Sequence, residues 1–349
     1  MLTAAISASQ ARDILERIKK VRIAVVGDMC LDAYWQADMQ RSILSNETPH
    51  FPLPVVSERY SPGGGANVAA NVAALGVRSL LPLAIVGDDW RGQLLRQEMH
   101  RRGIDCDGFI TATGWRTTAY CKPLRRGLAD VVYEDPRIDF ENDTPPPAAA
   151  TEALLAAIKG LAATVDAIAV SDQCRFGCVT DPVRAALCEL AQTLPVIVDS
   201  RERVHLYEGA IIKPNENEAG HCFGISLGAA SPPQSLTPVL TDIHEKTKAP
   251  LIITLGEQGS VCFDGQSHAH APAFRREPPI DIVGAGDTFL AAVTAALGAG
   301  LGLAEAVCFG NAAAAVTVKK IGTTGTASPD EILSLWPDNL EEEKNVRGG

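Results

Sequence analysis

Between residues 151 and 260 the chain repeats one pattern: a helical stretch, then a short run of β-branched and aliphatic residues. Helical patterns over 151–163, 181–192 and 236–247 are interleaved with largely apolar, strand-like runs at 166–170, 195–199, 209–213 and 251–254. Runs that are apolar throughout belong to strands buried on both faces, and parallel neighbours need a crossover, usually a helix. The pattern predicts an α/β fold: a doubly wound, mainly parallel sheet flanked by helices. Val21-Arg22-Ile23-Ala24-Val25-Val26-Gly27 and the run over 80–87 supply further strands, followed by an amphipathic helix over 90–102. A hairpin around Asp264-Gly265 and a nearly continuous helix over 303–319 complete the series.

Two stretches break the alternation. Residues 33–60 and 109–140 read as extended segments with prolines such as Pro52 and Pro54, which suit sheet edges. We expect them to pair as a small β-sheet lid outside the main sheet. Residues 1–336 are expected to form one domain that includes this lid, and the Glu-rich residues 337–349 a flexible tail.

In open α/β sheets, ligands bind beyond the carboxyl ends of the strands. Those ends carry Asp28, Ser171-Asp172, Asp199-Ser200, Asn215 and Gly256 here, one continuous polar surface. The stretch Asp281-Ile282-Val283-Gly284-Ala285-Gly286-Asp287-Thr288-Phe289 adds a helix start built from small residues. Unpaired N–H groups and the positive dipole end make such a start an anion site. A carboxylate at Asp287 would repel a bound phosphate unless it takes a proton from the attacking hydroxyl; the competing reading is a plain helix cap. Gly63-Gly64-Gly65-Ala66-Asn67 opens another helix, where backbone and amide could meet hydroxyl groups or merely turn the chain. Asn215 and Glu218, three apart at a helix start, could hold Mg²⁺ or simply cap the helix.

Bulk properties narrow the chemistry. A net charge of −11 without a long basic run excludes nucleic acid as a partner. No apolar run approaches the ~20 residues of a membrane span. Nine cysteines without a Cys-x-x-Cys pair, and no signal-peptide pattern, point to free thiols in the cytoplasm. No G-x-x-x-x-G-K-[ST] loop and no G-x-G-x-x-G after the first strand occur. Nicotinamide chemistry is disfavoured accordingly.

The Gly63–Asn67 and Asp281–Phe289 stretches, in that order with extended segments nearby, resemble the two signatures of the ribokinase/PfkB family of sugar kinases. Gly27-Asp28, Leu31-Asp32, Tyr34-Trp35, Arg137-Ile138-Asp139-Phe140-Glu141, Ser171-Asp172 and Lys320-Ile321-Gly322-Thr323 are most similar to its bacterial D-glycero-β-D-manno-heptose 7-phosphate kinase branch. The resemblance implies ATP-dependent phosphoryl transfer to a sugar or sugar phosphate, with Mg²⁺ and, as in many members, K⁺. It implies that Asp287 is the base and that the amides of Gly284, Ala285 and Gly286 form the anion hole. Asp28, Asp32, Gly64, Gly65, Asn67, Arg137 and Asp172 would bind the sugar. Asn215, Glu218, Thr254, Gly256, Gly259 and Asn311 would serve nucleotide and Mg²⁺, and Asp281 with Val283 a monovalent cation. A homodimer through the lid is expected, since exposed lid strands are an edge hazard. The chain departs from the heptose branch at 41–49, at Gln173-Cys174-Arg175-Phe176 and at Arg201. Another acceptor, such as a ketose, a ketohexose phosphate or a nucleoside, stays open, as does a non-catalytic binding protein on the same fold.

Overall fold

The computed structural model describes residues 1–127, 131–225 and 232–336; the expected tail over 337–349 lies outside them. A ten-stranded sheet forms the centre, in the order Leu2–Thr3, His268–Ala271, Ser260–Phe263, Leu251–Thr254, Ile211–Ile212, Val196–Ser200, Ala167–Asp172, Arg22–Gly27, Ser79–Gly87 and Phe109–Ala112. Neighbours are parallel except at Ser260–Phe263, which runs against both of its partners. Alternation along the Arg22–Gly27 strand shows why both faces need cover: Ile23 and Val25 enter one apolar cluster, Ala24 and Val26 the other.

The first cluster lies under the helices Ala8–Ile18, Gly65–Ala74, Ala285–Gly298 and Leu303–Thr317. Small residues set how closely these approach the sheet and one another. A Cβ on Gly298 would come within 2.7 Å of Val21 Cγ1, and one on Gly310 within 2.7 Å of Val293 Cγ2. The second cluster lies under Ala148–Lys159, Asp181–Leu190 and Thr237–Thr247. Among the described residues no helix is long and apolar enough to cross a membrane.

Extended residues also make a second, five-stranded sheet. Val55–Gly64, Met29–Asp38, Ala119–Arg126 and Val132–Glu134 lie in that order, and Ile138–Phe140 pairs with Ala119–Arg126. Segments from both irregular stretches therefore meet in one sheet. The second sheet starts earlier than the sequence suggested, at Met29, one residue after the main-sheet strand Arg22–Gly27. Residues 109–112, read as part of the lid, instead pair with Ser79–Gly87 at the main-sheet edge. Their short apolar pattern fits a buried parallel edge as well as a lid strand, so periodicity alone does not separate the two.

Candidate active site

Gly284 takes φ 81°, a left-handed conformation that glycine adopts without steric cost, and the Ala285–Gly298 helix begins behind it. Of the amides expected to receive an anion, that of Ala285 already donates to Ile282 O at 3.2 Å. The amides that follow belong to the first turn, where no carbonyl of the helix can accept them. Above Gly286 the space is open: a Cβ there would meet nothing within 4 Å.

Asp287 stands in that first turn, and Asn67 Nδ2 donates to its Oδ2 at 2.7 Å. Asn67 is buried in the Gly65–Ala74 helix, so the two short sequence motifs meet at one hydrogen bond. Desolvation by burial raises the Asp287 pKa to about 7; Asp199 and Asp32 add to the rise, while Asn67 and Lys213 oppose it. Removing the Asn67 donor takes away a bond to the charged form, so Asn67→Ala is expected to move the acidic limb of the kcat/KM profile to higher pH. At pH 7 the rate should fall about tenfold or more, and a pH–rate titration of both proteins checks this.

Lys213 is buried and its Nζ lies 3.3 Å from Asp199 Oδ2. Burial alone would lower the Lys213 pKa; Asp199 and Glu218 more than offset this and raise it. Asn215 and Glu218 form a reciprocal cap: Glu218 N–H donates to Asn215 Oδ1 and Asn215 N–H to Glu218 Oε2, each at 2.9 Å. The capping alternative is thus realised for both residues, and Asn215 spends its oxygen on it. Glu218 keeps Oε1 outside the cap. Asp199 Oδ1 is buried without a hydrogen-bond partner, which marks a place where a cation fits. Thr254 ends its strand beside Asn215, with which it forms a parallel bridge. Gly256 and Gly259 turn the chain after it with φ 54° and 88°.

Several expected sugar and nucleotide ligands turn out to be committed inside the protein. Asp28 accepts the backbone N–H groups of Gln173 (2.8 Å), Cys174 (2.7 Å) and Cys178 (2.8 Å), so it anchors the loop after the Ala167–Asp172 strand. Asp172 has no exposed side-chain surface and binds Ser200 Oγ (2.8 Å), Tyr207 OH (3.0 Å) and the Arg203 guanidinium. Asn311 joins the Leu303–Thr317 helix to the sheet: Nδ2 donates to Ala271 O at 2.8 Å, and Oδ1 accepts from Ser260 Oγ at 3.0 Å. Its amide is consumed there. Arg137 is exposed and held by Asp139 through two bonds of 2.6 and 2.7 Å. A sequence position at a strand end cannot reveal whether the side chain turns outward or back into a neighbouring loop.

Asp32 lies close enough to Asp287 for its charge to act on that group. It is buried in the Met29–Asp38 strand, 3.7 Å from Lys122 Nζ. Burial raises its pKa, against the pull of Lys122, Arg137 and Arg59. Gly63 makes room for it, since a Cβ there would lie 2.8 Å from Asp32 Oδ1. Gly64, at φ 53°, and Gly65 pack against Asp28 O, the latter donating to it at 2.9 Å. Asp281 ties its own loop, accepting from Val283 N at 3.0 Å and from Gly322 N at 2.8 Å. Sequence reading missed Lys213, Arg203, Lys122 and Arg59. Only Lys213 carried a signal, standing directly before Pro214-Asn215.

A family profile described as pfkB family carbohydrate kinase matches residues 21–331. The chain belongs to this family. It is an ATP-dependent carbohydrate kinase. Its relatives include the bifunctional protein HldE of Wolinella succinogenes, 33% identical over 96% of this chain and 68% of that protein. HldE of Citrifermentans bemidjiense is 31% identical over 93% of this chain and 65% of its own length. The chain thus spans about two thirds of the curated pfkB relatives it matches. Among solved pfkB-like structures, Escherichia coli phosphofructokinase-2 in complex with fructose-6-phosphate aligns with a TM-score of 0.67 at 20% identity, covering 90% of this chain and 98% of that one. Arabidopsis thaliana ribokinase complexed with ribose and ATP aligns at 0.66 and 19%, with the same coverage. These two likenesses concern the ribokinase-like fold.

Proposed function

We propose that this kinase transfers the γ-phosphoryl group of ATP to a hydroxyl of a sugar phosphate, with a heptose 7-phosphate-like acceptor favoured. The observation that carries the reading is the Asn67–Asp287 hydrogen bond of 2.7 Å at the mouth of a glycine-started helix. One group there can accept a proton while adjacent N–H groups face an anion. Asp287 takes the proton of the attacking hydroxyl, and Asn67 holds its carboxylate in place. The N–H groups at Gly284 and Gly286 stabilise charge on the moving phosphoryl group, while that of Ala285 is engaged with Ile282 O. Asp32 accepts hydroxyl hydrogen bonds from the sugar. The segment holding Thr254, Gly256 and Gly259 lies toward the nucleotide.

Glu218, through Oε1, and Asp199, through its unpartnered Oδ1, are the carboxylates suited to Mg²⁺ or its waters. When bound, that ion neutralises phosphate charge. Carbonyls of the loop carrying Asp281 and Val283 would serve K⁺; a related fold, Escherichia coli phosphofructokinase-2, has been solved in complex with potassium. The second sheet acts as a lid that excludes water. The strand Val55–Gly64 lies at its edge, and Val55, Val56 and nearby Phe51 are exposed, so we assign this edge to a homodimer contact in the cytoplasm.

The test is an ADP-release screen over heptose 7-phosphate, hexose phosphates, free hexoses and nucleosides, with and without K⁺. Turnover is expected with a sugar phosphate. Turnover confined to a nucleoside or a free ketose would overturn the acceptor assignment.

A further inference from the structure

Side chains alternate along a strand, so register sorts the second sheet into two faces. Asp32 stands opposite Ser61 and Tyr120, Tyr34 opposite Arg59 and Lys122, and Tyr120 opposite Asp139. One face therefore carries all of them. That face turns toward the main body: Ser61 Oγ lies 3.2 Å from Thr324 Oγ1, and Arg59 donates to Gly322 O at 2.6 Å and Thr323 Oγ1 at 3.2 Å. Along the strand, the rung of Tyr34, Arg59 and Lys122 lies about 7 Å beyond that of Asp32.

The two rungs differ in chemistry. The inner one offers the carboxylate of Asp32, suited to hydroxyl groups. The outer one offers cations. The Arg59 guanidinium stacks 3.8 Å from the centre of the Tyr34 ring, and its hydrogen-bond partners are a carbonyl and a hydroxyl rather than a carboxylate. Lys122 Nζ sits 3.2 Å from Tyr34 OH and shares Asp32 at 3.7 Å. Exposed Glu134 acts on Lys122 less strongly than Asp32 does. Arg137, by contrast, already has its carboxylate in Asp139. In a chain of net charge −11, an arginine fork fixed by neutral groups is a ready receptor for a planar or tetrahedral oxyanion.

We propose that Arg59 and Lys122, not Arg137, bind the phosphate already present on the acceptor, and so make the enzyme select sugar phosphates over free sugars. The inference rests on the kinase reading above. It places the acceptor's phosphate on the outer rung, the hydroxyls of its chain at Asp32, and the reacting hydroxyl at Asp287.

The experiment measures ADP release with heptose 7-phosphate and the same heptose without its phosphate, and with fructose 6-phosphate and fructose. In at least one pair the phosphorylated member should exceed its partner in kcat/KM by about 100-fold or more. Arg59→Met and Lys122→Gln should each shrink that ratio about tenfold, chiefly through KM, and Arg59→Lys should fall between. A wild-type ratio near one, or variants that lose both acceptors in parallel, would overturn the proposal. Should Arg59→Met fail to fold, Lys122→Gln carries the comparison. If no acceptor releases ADP, the kinase reading fails separately. Calorimetric binding of the same sugar pairs then decides the subsite: phosphate-dependent binding weakened in Lys122→Gln supports it, and binding indifferent to the phosphate refutes it.

Discussion

Asp287→Asn is expected to lower kcat by about 10²–10⁴-fold while leaving nucleotide binding within a fewfold of wild type, because the change removes the proton acceptor and keeps the shape. Single-turnover transfer from labelled ATP, with calorimetric binding of the nucleotide, separates the two effects. A non-catalytic binding protein would show no such split. In the unsubstituted enzyme the working form is the carboxylate, so kcat/KM should rise with pH to a plateau, with a midpoint near the value of about 7 set by burial. Stability follows the opposite course. The pKa of Asp287 is raised on folding above its ordinary 3.8, so its contribution is most favourable below that value and is lost as pH rises through about 7. Asparagine has no charge to desolvate. The variant's melting temperature should therefore match wild type near pH 4 and exceed it at pH 8, and a drop at pH 8 would show that Asp287 is held as a stabilising ion.

Arg203→Met should produce the largest loss of stability. Asp172 has no exposed side-chain surface, and Arg203 is its cationic partner. The same guanidinium also donates to Cys174 O at 2.7 Å and Arg175 O at 3.1 Å. Removing one member of a buried ion pair leaves an uncompensated charge, at a cost of about 3–5 kcal/mol. Urea unfolding should show that loss, and Asp172→Asn in the same background should recover part of it, as neither charge then remains. An equal loss in the double variant would mean that the pair contributes through packing rather than charge. Because two carbonyls of the loop over 173–178 lose the N–H groups that donate to them, acceptor KM should rise in Arg203→Met even where the protein is still folded.

Much of this organisation could be read before any coordinates. The strands Arg22–Gly27, Ala167–Asp172, Val196–Ser200 and Leu251–Thr254 have apolar interiors with polar residues only at their ends, and a pattern of that kind has few other homes. The pairing of Asn67 with Asp287 joins residues 220 apart, yet both announced themselves through glycine clusters at helix starts. What stayed hidden was direction. Asp28, Asp172 and Asn311 are polar residues at strand ends or on a helix bordering the cleft, the places where ligands are sought, but each is consumed by neighbouring backbone or side chains. Arg59 and Lys122 lay within strands that looked merely extended. Their importance depends on register across three strands, which no local pattern encodes.

Passage between the two sheets has a mechanical consequence. A single residue, Asp28, separates the main-sheet strand from the second-sheet strand, and Gly27 before it has φ 141° with Ser171 O where a Cβ would go. The return crossing at Gly64 and Gly65 is bonded to Asp28 O. With two of its connections pinned together, any movement of the outer sheet would swing about that point, like an oar in its rowlock. Asp32, four residues from the fulcrum, would shift less than Arg59 and Lys122, one rung farther out. Grip on the near end of a substrate would then vary less than grip on its far end.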